Sequence, residues 1–263
     1  MLILLPPSET KTRPDTGPTL NLSALTLPEL TAARTEMIAA CGRTARLPEG
    51  VTMLKVPASA PELTERMQQI EQEPCALPLE VYSGVLYEAL GEVSPAQGRR
   101  VLVQSALLGL VDAARDAIPA YRVSAGSTLD GLGKAGTWWA RHLKEVGAAL
   151  MQETAESGSP LVIDCRSGAY RSMMKLRSTE QVRVLEVGAV QEIDGVRTVV
   201  SHDAKRYRGW VTRVLNDAPQ PAATPEEVLA QLKEGFSGTL DVELDGDTLV
   251  VVDRPRQEHS ATS

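Results

Sequence analysis

Residues Met1 to Lys11 read MLILLPPSETK, and this opening stretch constrains the fold more than any other. Met1–Leu5 is a short, fully apolar run, which reads as a buried strand. Pro6-Pro7 must end it, because proline has no amide hydrogen to give to a central ladder. The strand therefore opens onto the loop Ser8-Glu9-Thr10-Lys11. Two further apolar runs, Arg100–Leu107 (RVLVQSAL), followed by a turn region from Gly109, and Leu161–Cys165 (LVIDC), read as buried strands of the same kind. Val182–Ile193 and Val196–Ser201 flank Asp194-Gly195, a strong hairpin signal, and Gly238–Val252 reads as a second hairpin turning at Asp245-Gly246.

Helices are predicted between these strands. Pro28 starts one that runs to about Cys41, Pro61 one to about Glu73, and Leu79 one to Leu90. Trp138 to about Glu156 carries Trp139, Leu143, Val146 and Leu150 at helical spacing. Ser201 is placed to cap a helix to Leu215, with Asp203 in its first turn, and Pro225–Glu234 is a shorter helix. Strands and helices alternate without a regular βαβ rhythm. The expected class is α+β, one mixed domain over residues 1–254 with a central mixed sheet, flanking helices and a basic cleft. Residues 255–263 read as a disordered tail.

Composition excludes several functions. The chain has 263 residues, 43% of them hydrophobic, which is ample for a core. Aromatics are only 3%, too few for a base-stacking RNA or single-strand sheet. No apolar run reaches the ~18 residues of a membrane span. Met1–Leu5 lacks a basic lead and a cleavage-site pattern, so no signal peptide is expected and the location is read as cytoplasmic. Cys41, Cys75 and Cys165 are spaced as neither a disulfide framework nor a zinc site. With no P-loop, G-x-G-x-x-G or H-E-x-x-H motif, no cofactor and no metal is expected. The chain is read as a monomer.

The net charge of -7 hides an asymmetry. Residues 166–213 carry ten Lys and Arg against five Asp and Glu, while the flanking stretches are acidic. Such a segment is either a solvated face of paired charges or a site for an anion, since a basic cleft in an acidic body focuses potential. Two local patterns bear on this choice. Cys165-Arg-Ser-Gly168-Ala-Tyr-Arg171-Ser172 after an apolar strand matches the phosphate cradle of cysteine phosphatases, with Cys165 as nucleophile and Arg171 as clamp. Asp164 opposes it, because a neighbouring negative charge raises a thiol pKa. Lys205 and Arg208, one turn apart at the start of a helix, suit an anionic ligand. Ser8–Lys11 and Ser172–Lys175 match S-x-x-K but lack the partner motifs of a serine acylase.

Six short motifs occur in an order that resembles the YaaA family of peroxide-stress proteins. They are MLILLPPSETK, Val81-Tyr82-Ser83-Gly84, Pro119-Ala-Tyr121-Arg122, Trp138-Trp139, Ser167-x-x-Tyr170 and Ser201-x-x-Ala204-Lys205-x-x-Arg208-Gly209, spanning about residues 1 to 252. The resemblance implies a cytoplasmic bacterial protein that limits oxidative damage under peroxide, through control of unincorporated iron. It also implies a DNA-binding helix-hairpin-helix in the N-terminal half. Here that stretch, Val51–Met67, has Pro57-Ala-Ser-Ala-Pro61 where a glycine-bearing hairpin is expected, and only Lys55 and Arg66 against Glu62 and Glu65. Within the resemblance, Ser8, Lys11, Tyr82, Arg122, Ser167, Tyr170, Lys175, Lys205 and Arg208 form the candidate site for DNA, a nucleotide or another phosphate ligand. Arg122, Lys205 and Arg208 are expected in one pocket, with Ser167 and Tyr170 on its wall. The alternatives are a Cys165/Arg171 phosphatase and a partner-binding protein with a basic docking face.

Overall fold

In a computed structural model that describes residues 1–200 and 204–254, the opening strand lies inside an eight-stranded mixed sheet. In chain order the strands are β1 (Leu2–Leu5), β2 (Cys75–Ala76), β3 (Arg100–Ser105), β4 (Gly109–Asp112), β5 (Ile118–Pro119) and β6 (Thr128–Leu129). They continue with β7 (Gly133–Lys134), β8 (Leu161–Asp164), β9 (Arg183–Ile193), β10 (Val196–Val199), β11 (Asp241–Asp245) and β12 (Thr248–Asp253). The main sheet runs β11-β12-β9-β8-β1-β3-β4, with β10 on β9; β2 with β5 and β6 with β7 form small separate ladders.

β1 is paired in parallel on both sides, so that Leu4 lies opposite Leu102 of β3 and Asp164 of β8. β9 and β12 extend the parallel set, and β4, β10 and β11 join antiparallel. From β1 the chain leaves toward β3 on one side, whereas from β8 it leaves toward β9 on the other. Adjacent parallel strands whose connections part in this way leave a crevice beyond their carboxyl ends, where α/β proteins place ligands.

The helices are α1 (Thr31–Ala45), α2 (Gly50–Leu54), α3 (Glu62–Gln68), α4 (Pro78–Val81), α5 (Val85–Leu90), α6 (Ala135–Ala155), α7 (Gly168–Arg171), α8 (Ala204–Asp217) and α9 (Pro225–Phe236). Trp139 of α6 is fully buried and donates its indole N–H to the Ala106 carbonyl at 2.7 Å. Gly109, with φ +78°, begins β4 beneath that ring; a Cβ there would stand 2.7 Å from it. Arg34 of α1 is buried too, and its guanidinium donates to the carbonyls of Leu108, Leu110 and Leu27. No helix among the described residues is long and apolar enough to cross a membrane.

Two expectations are corrected. The single helix over Leu79–Leu90 is broken at Tyr82-Ser83-Gly84. Tyr82 is extended and bridges to Lys11, the Ser83 amide donates to the Thr10 carbonyl, and Gly84 takes φ +94°, which favours glycine. Gly109–Asp112, read as a turn region, is a strand because it folds back on β3. The hairpin at Asp194-Gly195 is present, both residues having positive φ as a tight turn requires. The proposed caps Ser201 and Asp203, and the tail from residue 255, lie outside the described residues.

Gly209 of α8 faces α5 so closely that a Cβ would lie 2.2 Å from the Leu86 carbonyl oxygen. Backbone cannot yield as a side-chain tip can. Gly209→Ala is expected to cost about 1–3 kcal/mol by overpacking, read as a lower denaturant midpoint with an unchanged slope.

Candidate functional site at the carboxyl edge of the sheet

The site is built from the loops that follow β1, β3 and β8. Pro6 ends the ladder, and its carbonyl accepts the Tyr87 hydroxyl at 2.7 Å, which ties the loop to α5. Ser8 Oγ donates to the Thr10 carbonyl through a short bond and accepts the Ser83 amide at 3.1 Å. The chain is thereby turned so that Lys11 pairs with Tyr82. Lys11 Nζ donates to the Ser8 carbonyl at 2.6 Å and lies 4.3 Å from the Tyr121 ring centroid and 5.4 Å from that of Tyr82. Burial first, then the nearby Arg122 cation, brings its pKa down to about 7, with Glu9 opposing.

Beneath Lys11 runs a line of hydroxyls. Ser105, at the end of β3, accepts the amides of Leu107 and Leu108 and shares a 2.8 Å bond with the Tyr121 hydroxyl. Tyr121 in turn shares a 2.8 Å bond with Tyr82, and Tyr82 stacks on Tyr87. Burial raises the pKa of all three phenols. Arg122 donates Nε to the Lys55 carbonyl at 2.8 Å and reaches Glu9 at 3.8 Å. Lys55 takes φ +57° between α2 and α3, so the stretch that corresponds to the DNA-binding element implied by the resemblance braces Arg122 with its backbone. Arg66 is held by Glu73 and the Ala120 carbonyl.

On the other side of β1, Arg166 is fully buried. It forms a fork with Asp164 at 2.7 and 2.9 Å and donates to Gln104 of β3 at 2.7 Å. β8 ends at Asp164, opposite Leu4, while β3 runs past Leu5 to Ser105, and Arg166 links the end of β8 to β3 there. Gln104 Nε2 is left without a partner. Ser167 then opens the short turn α7, which carries Tyr170. Tyr170 stands near Arg122 and Glu9; burial lifts its pKa to about 12, while a hydrogen bond with the Ala125 backbone pulls the other way.

The candidate residues fall into separate places. Ser8, Lys11, Tyr82, Arg122 and Tyr170 come together, with Ser167 at the base of the Tyr170 turn. Arg208 lies farther along the edge, donating to the Val187 carbonyl at 3.3 Å beside Cys165 and Asp164. Lys205 is exposed on the first turn of α8. Lys175 lines a different groove with Lys144 and Gln181. The expected single pocket of Arg122, Lys205 and Arg208 is thus corrected to a compact group around Lys11 and Arg122. The reason is placement: α8 packs Arg208 against the Val187 carbonyl of β9 and leaves Lys205 exposed, while Arg122 is braced on the Lys55 carbonyl. Two grooves of about 840 and 900 Å³ lie at α8/α9 and beside Glu92–Arg99, away from this chemistry.

The phosphate-cradle geometry is absent from Cys165–Ser172. The amides of Tyr170 and Arg171 are spent on the Ser167 carbonyl, and Arg171 is held by Glu186 at 2.5 Å. Cys165 is fully buried against Thr212, and burial pushes its thiol up to about 11. Tyr121, Tyr87, Ser105 and Glu9 are not among the candidates that the sequence singles out. The signal for two of them is present, since Tyr121 adjoins Arg122 and Glu9 lies between Ser8 and Lys11. Among the described residues no group of three or more His, Cys, Asp or Glu side chains is placed to hold a metal ion.

Two outcomes follow from this geometry. Cys165 in the folded protein should resist iodoacetamide at pH 8 and react on unfolding, as peptide mass mapping would show. For Lys11, whose pKa falls from 10.5 to about 7 on folding, the unfolded chain binds more protons between those values. Its contribution to stability therefore rises as pH climbs from 7 toward 10.5 and is flat below. Lys11→Met should remove that rise in denaturant titrations across the range.

Comparison with known proteins supplies the family. The model of the family described as "Peroxide stress protein YaaA" matches residues 1–238. The chain is 37% identical over 245 residues to a UPF0246 protein of Corynebacterium efficiens, covering 92% of this chain and 95% of that one. It is 36% identical over 233 residues to a UPF0246 protein of Corynebacterium glutamicum strain R (88% and 91% covered) and 33% identical over 244 residues to one of Streptomyces coelicolor (89% and 90%). With the family's model running from β1 through α9, the chain belongs to the YaaA peroxide stress protein family.

Proposed function

We propose that the protein serves in the response to peroxide and that its working surface is the cleft around Lys11 and Arg122, which binds a phosphate-bearing ligand such as a nucleotide or DNA. The observation that carries this reading is the meeting of two cations with little to neutralise them. Glu9, their nearest carboxylate, is exposed and stands 3.8 Å from Arg122. Like charges held together in a partly desolvated crevice are costly unless an anion joins them. The hydroxyl of Tyr170, which stands near Arg122, provides a further donor for phosphate oxygens. The cellular role that goes with the family is limitation of oxidative damage, with the level of unincorporated iron as the quantity controlled. Cytoplasmic residence belongs to the same reading.

If DNA is the ligand, a few phosphate-binding cations in an acidic protein leave counterion release as the main driving term. Binding to a short duplex should weaken steeply with salt, and removing one such cation should make the slope of log affinity against log salt shallower by about 0.9. Arg122→Ala is expected to weaken all sequences alike. In a strain lacking the protein, wild type and Lys144→Ala should restore survival under hydrogen peroxide and lower chelatable iron. Arg122→Ala, shown to be folded, should do neither. Full protection by Arg122→Ala would refute the cleft as the working surface.

A further inference from the structure

The chain has seven lysines, and six of them (Lys55, Lys134, Lys144, Lys175, Lys205 and Lys233) are exposed on the surface. Lys11 is the exception. It is half-buried, donates one hydrogen bond, to the Ser8 carbonyl, and has two aromatic rings and the Arg122 cation around it. No carboxylate forms an ion pair with it among the described residues. A lysine retained for structure is ordinarily paired when it leaves water, because an unpaired ammonium is expensive to bury. Here the neighbourhood does the reverse and favours the neutral amine. A neutral lysine amine has a free lone pair and is a nucleophile toward carbonyl carbon. It sits at the crevice where the connections of β1 and β8 part, and the residue keeps part of its surface exposed.

We propose that Lys11 forms a reversible imine with a small aldehyde or ketone whose phosphate or carboxylate group rests on Arg122. The anion preference rests on the proposed function of the cleft; the reactivity of the amine does not. In the step itself, the Nζ lone pair attacks the carbonyl carbon and the C=O π pair moves onto oxygen, which takes one proton from solvent as the nitrogen gives one back. The hydroxyl of the resulting carbinolamine takes a second proton and leaves as water while the nitrogen lone pair forms the C=N bond, and loss of the remaining N–H proton gives the neutral imine. One amine and one carbonyl thus yield one imine and one water, with nothing oxidised or reduced. The imine nitrogen, when protonated, is a cation that remains over the faces of Tyr121 and Tyr82, which stabilise positive charge through their ring quadrupoles. The charged groups facing Nζ are Glu9 from its own loop and Arg122 from the strand-loop segment opposite, with the phenols of Tyr82 and Tyr121 on the floor.

The test uses the whole protein with two probes, glycolaldehyde phosphate and glycolaldehyde, each with sodium cyanoborohydride at pH 7 to trap imines as stable secondary amines. Peptide mass mapping then gives the rate at each lysine. Lys11 is expected to be labelled at least ten-fold faster than Lys144, and faster by the phosphorylated probe than by the neutral one. Inorganic phosphate should slow the phosphorylated probe. Lys11→Arg, which keeps the cation, should lose the fast label while the six exposed lysines react as before. Arg122→Ala should erase the preference between probes, and Lys11, still half-buried but without that cation beside it, should be labelled by both more slowly than in the wild type. Labelling of wild-type Lys11 no faster than Lys144 overturns the proposal, even where calorimetry shows phosphate binding and so upholds the anion reading. Fast labelling of Lys11 by both probes equally, with no competition by phosphate, upholds the amine and overturns the anion reading.

Discussion

The rest of the structure depends on a backbone constraint at one place: β1 is hydrogen-bonded on both sides and then stops at Pro6-Pro7. Four apolar residues, buried on both faces, hold β3 and β8 as parallel neighbours. Where proline withdraws the donors, β3 runs on to Ser105, whereas β8 has already ended at Asp164, opposite Leu4. The Asp164–Arg166–Gln104 link joins the end of β8 to β3 past the end of β1. Tyr87 bonded to Pro6, and Ser105 bonded to Tyr121, secure the other side. The crevice of the candidate site lies where β1 and β8 end together beside the longer β3 and their connections part. Arg166 is confined there by its own pairing. A fully buried guanidinium that kept no carboxylate would cost several kcal/mol, about 3–5 when one partner of such a pair is removed.

Electrostatics divides the molecule in two. In the segment over residues 166–213, five of the ten cations pair with carboxylates, three of them with groups of β9, β11 and the β11–β12 turn. Exposed pairs of this kind contribute little to stability individually, typically about 0–1 kcal/mol, but these pairs use up half of the positive charge that a local count makes conspicuous. At the carboxyl edge of the sheet the balance is different. Lys11 and Arg122 come from loops far apart in sequence, each too weakly basic a stretch to stand out. They approach one another over a floor of tyrosines with only exposed Glu9 nearby. At this edge the chain brings two basic side chains together with one exposed carboxylate, whereas half of the cations in the charge-rich segment are paired.

Membership in the YaaA family gives these features a cellular setting without dictating their chemistry. Several of the short motifs shared with the family have a physical explanation in this chain. MLILLPPSETK makes the central strand, its stop and the loop carrying Lys11. Tyr82-Ser83-Gly84 breaks a helix so that Tyr82 can bridge to Lys11. Tyr121-Arg122 supplies both the ring under the amine and the neighbouring cation. Trp139 seals the turn between β3 and β4, and Gly209 lets α8 approach α5 at backbone distance.

From the sequence alone, the strands β1, β3 and β8, the hairpin at Asp194-Gly195 and the long helix ending near Ala155 were legible, because each is dictated locally. Apolar runs, proline stops, turn glycines and helical periodicity act over a few residues. Five of the nine candidate residues also proved to be grouped, since the motif order marked the loops that converge. What the sequence could not decide was partnership. Arg171 reads the same whether it faces phosphate or Glu186, and Cys165 reads as a nucleophile until its burial against Thr212 is known. Tyr121 and Ser105 gain their roles only through each other. Which groups share a crevice, and which cations have already been neutralised, is set by interactions between residues tens of positions apart. Those interactions exist only once β1 has been paired on both sides and its end left open.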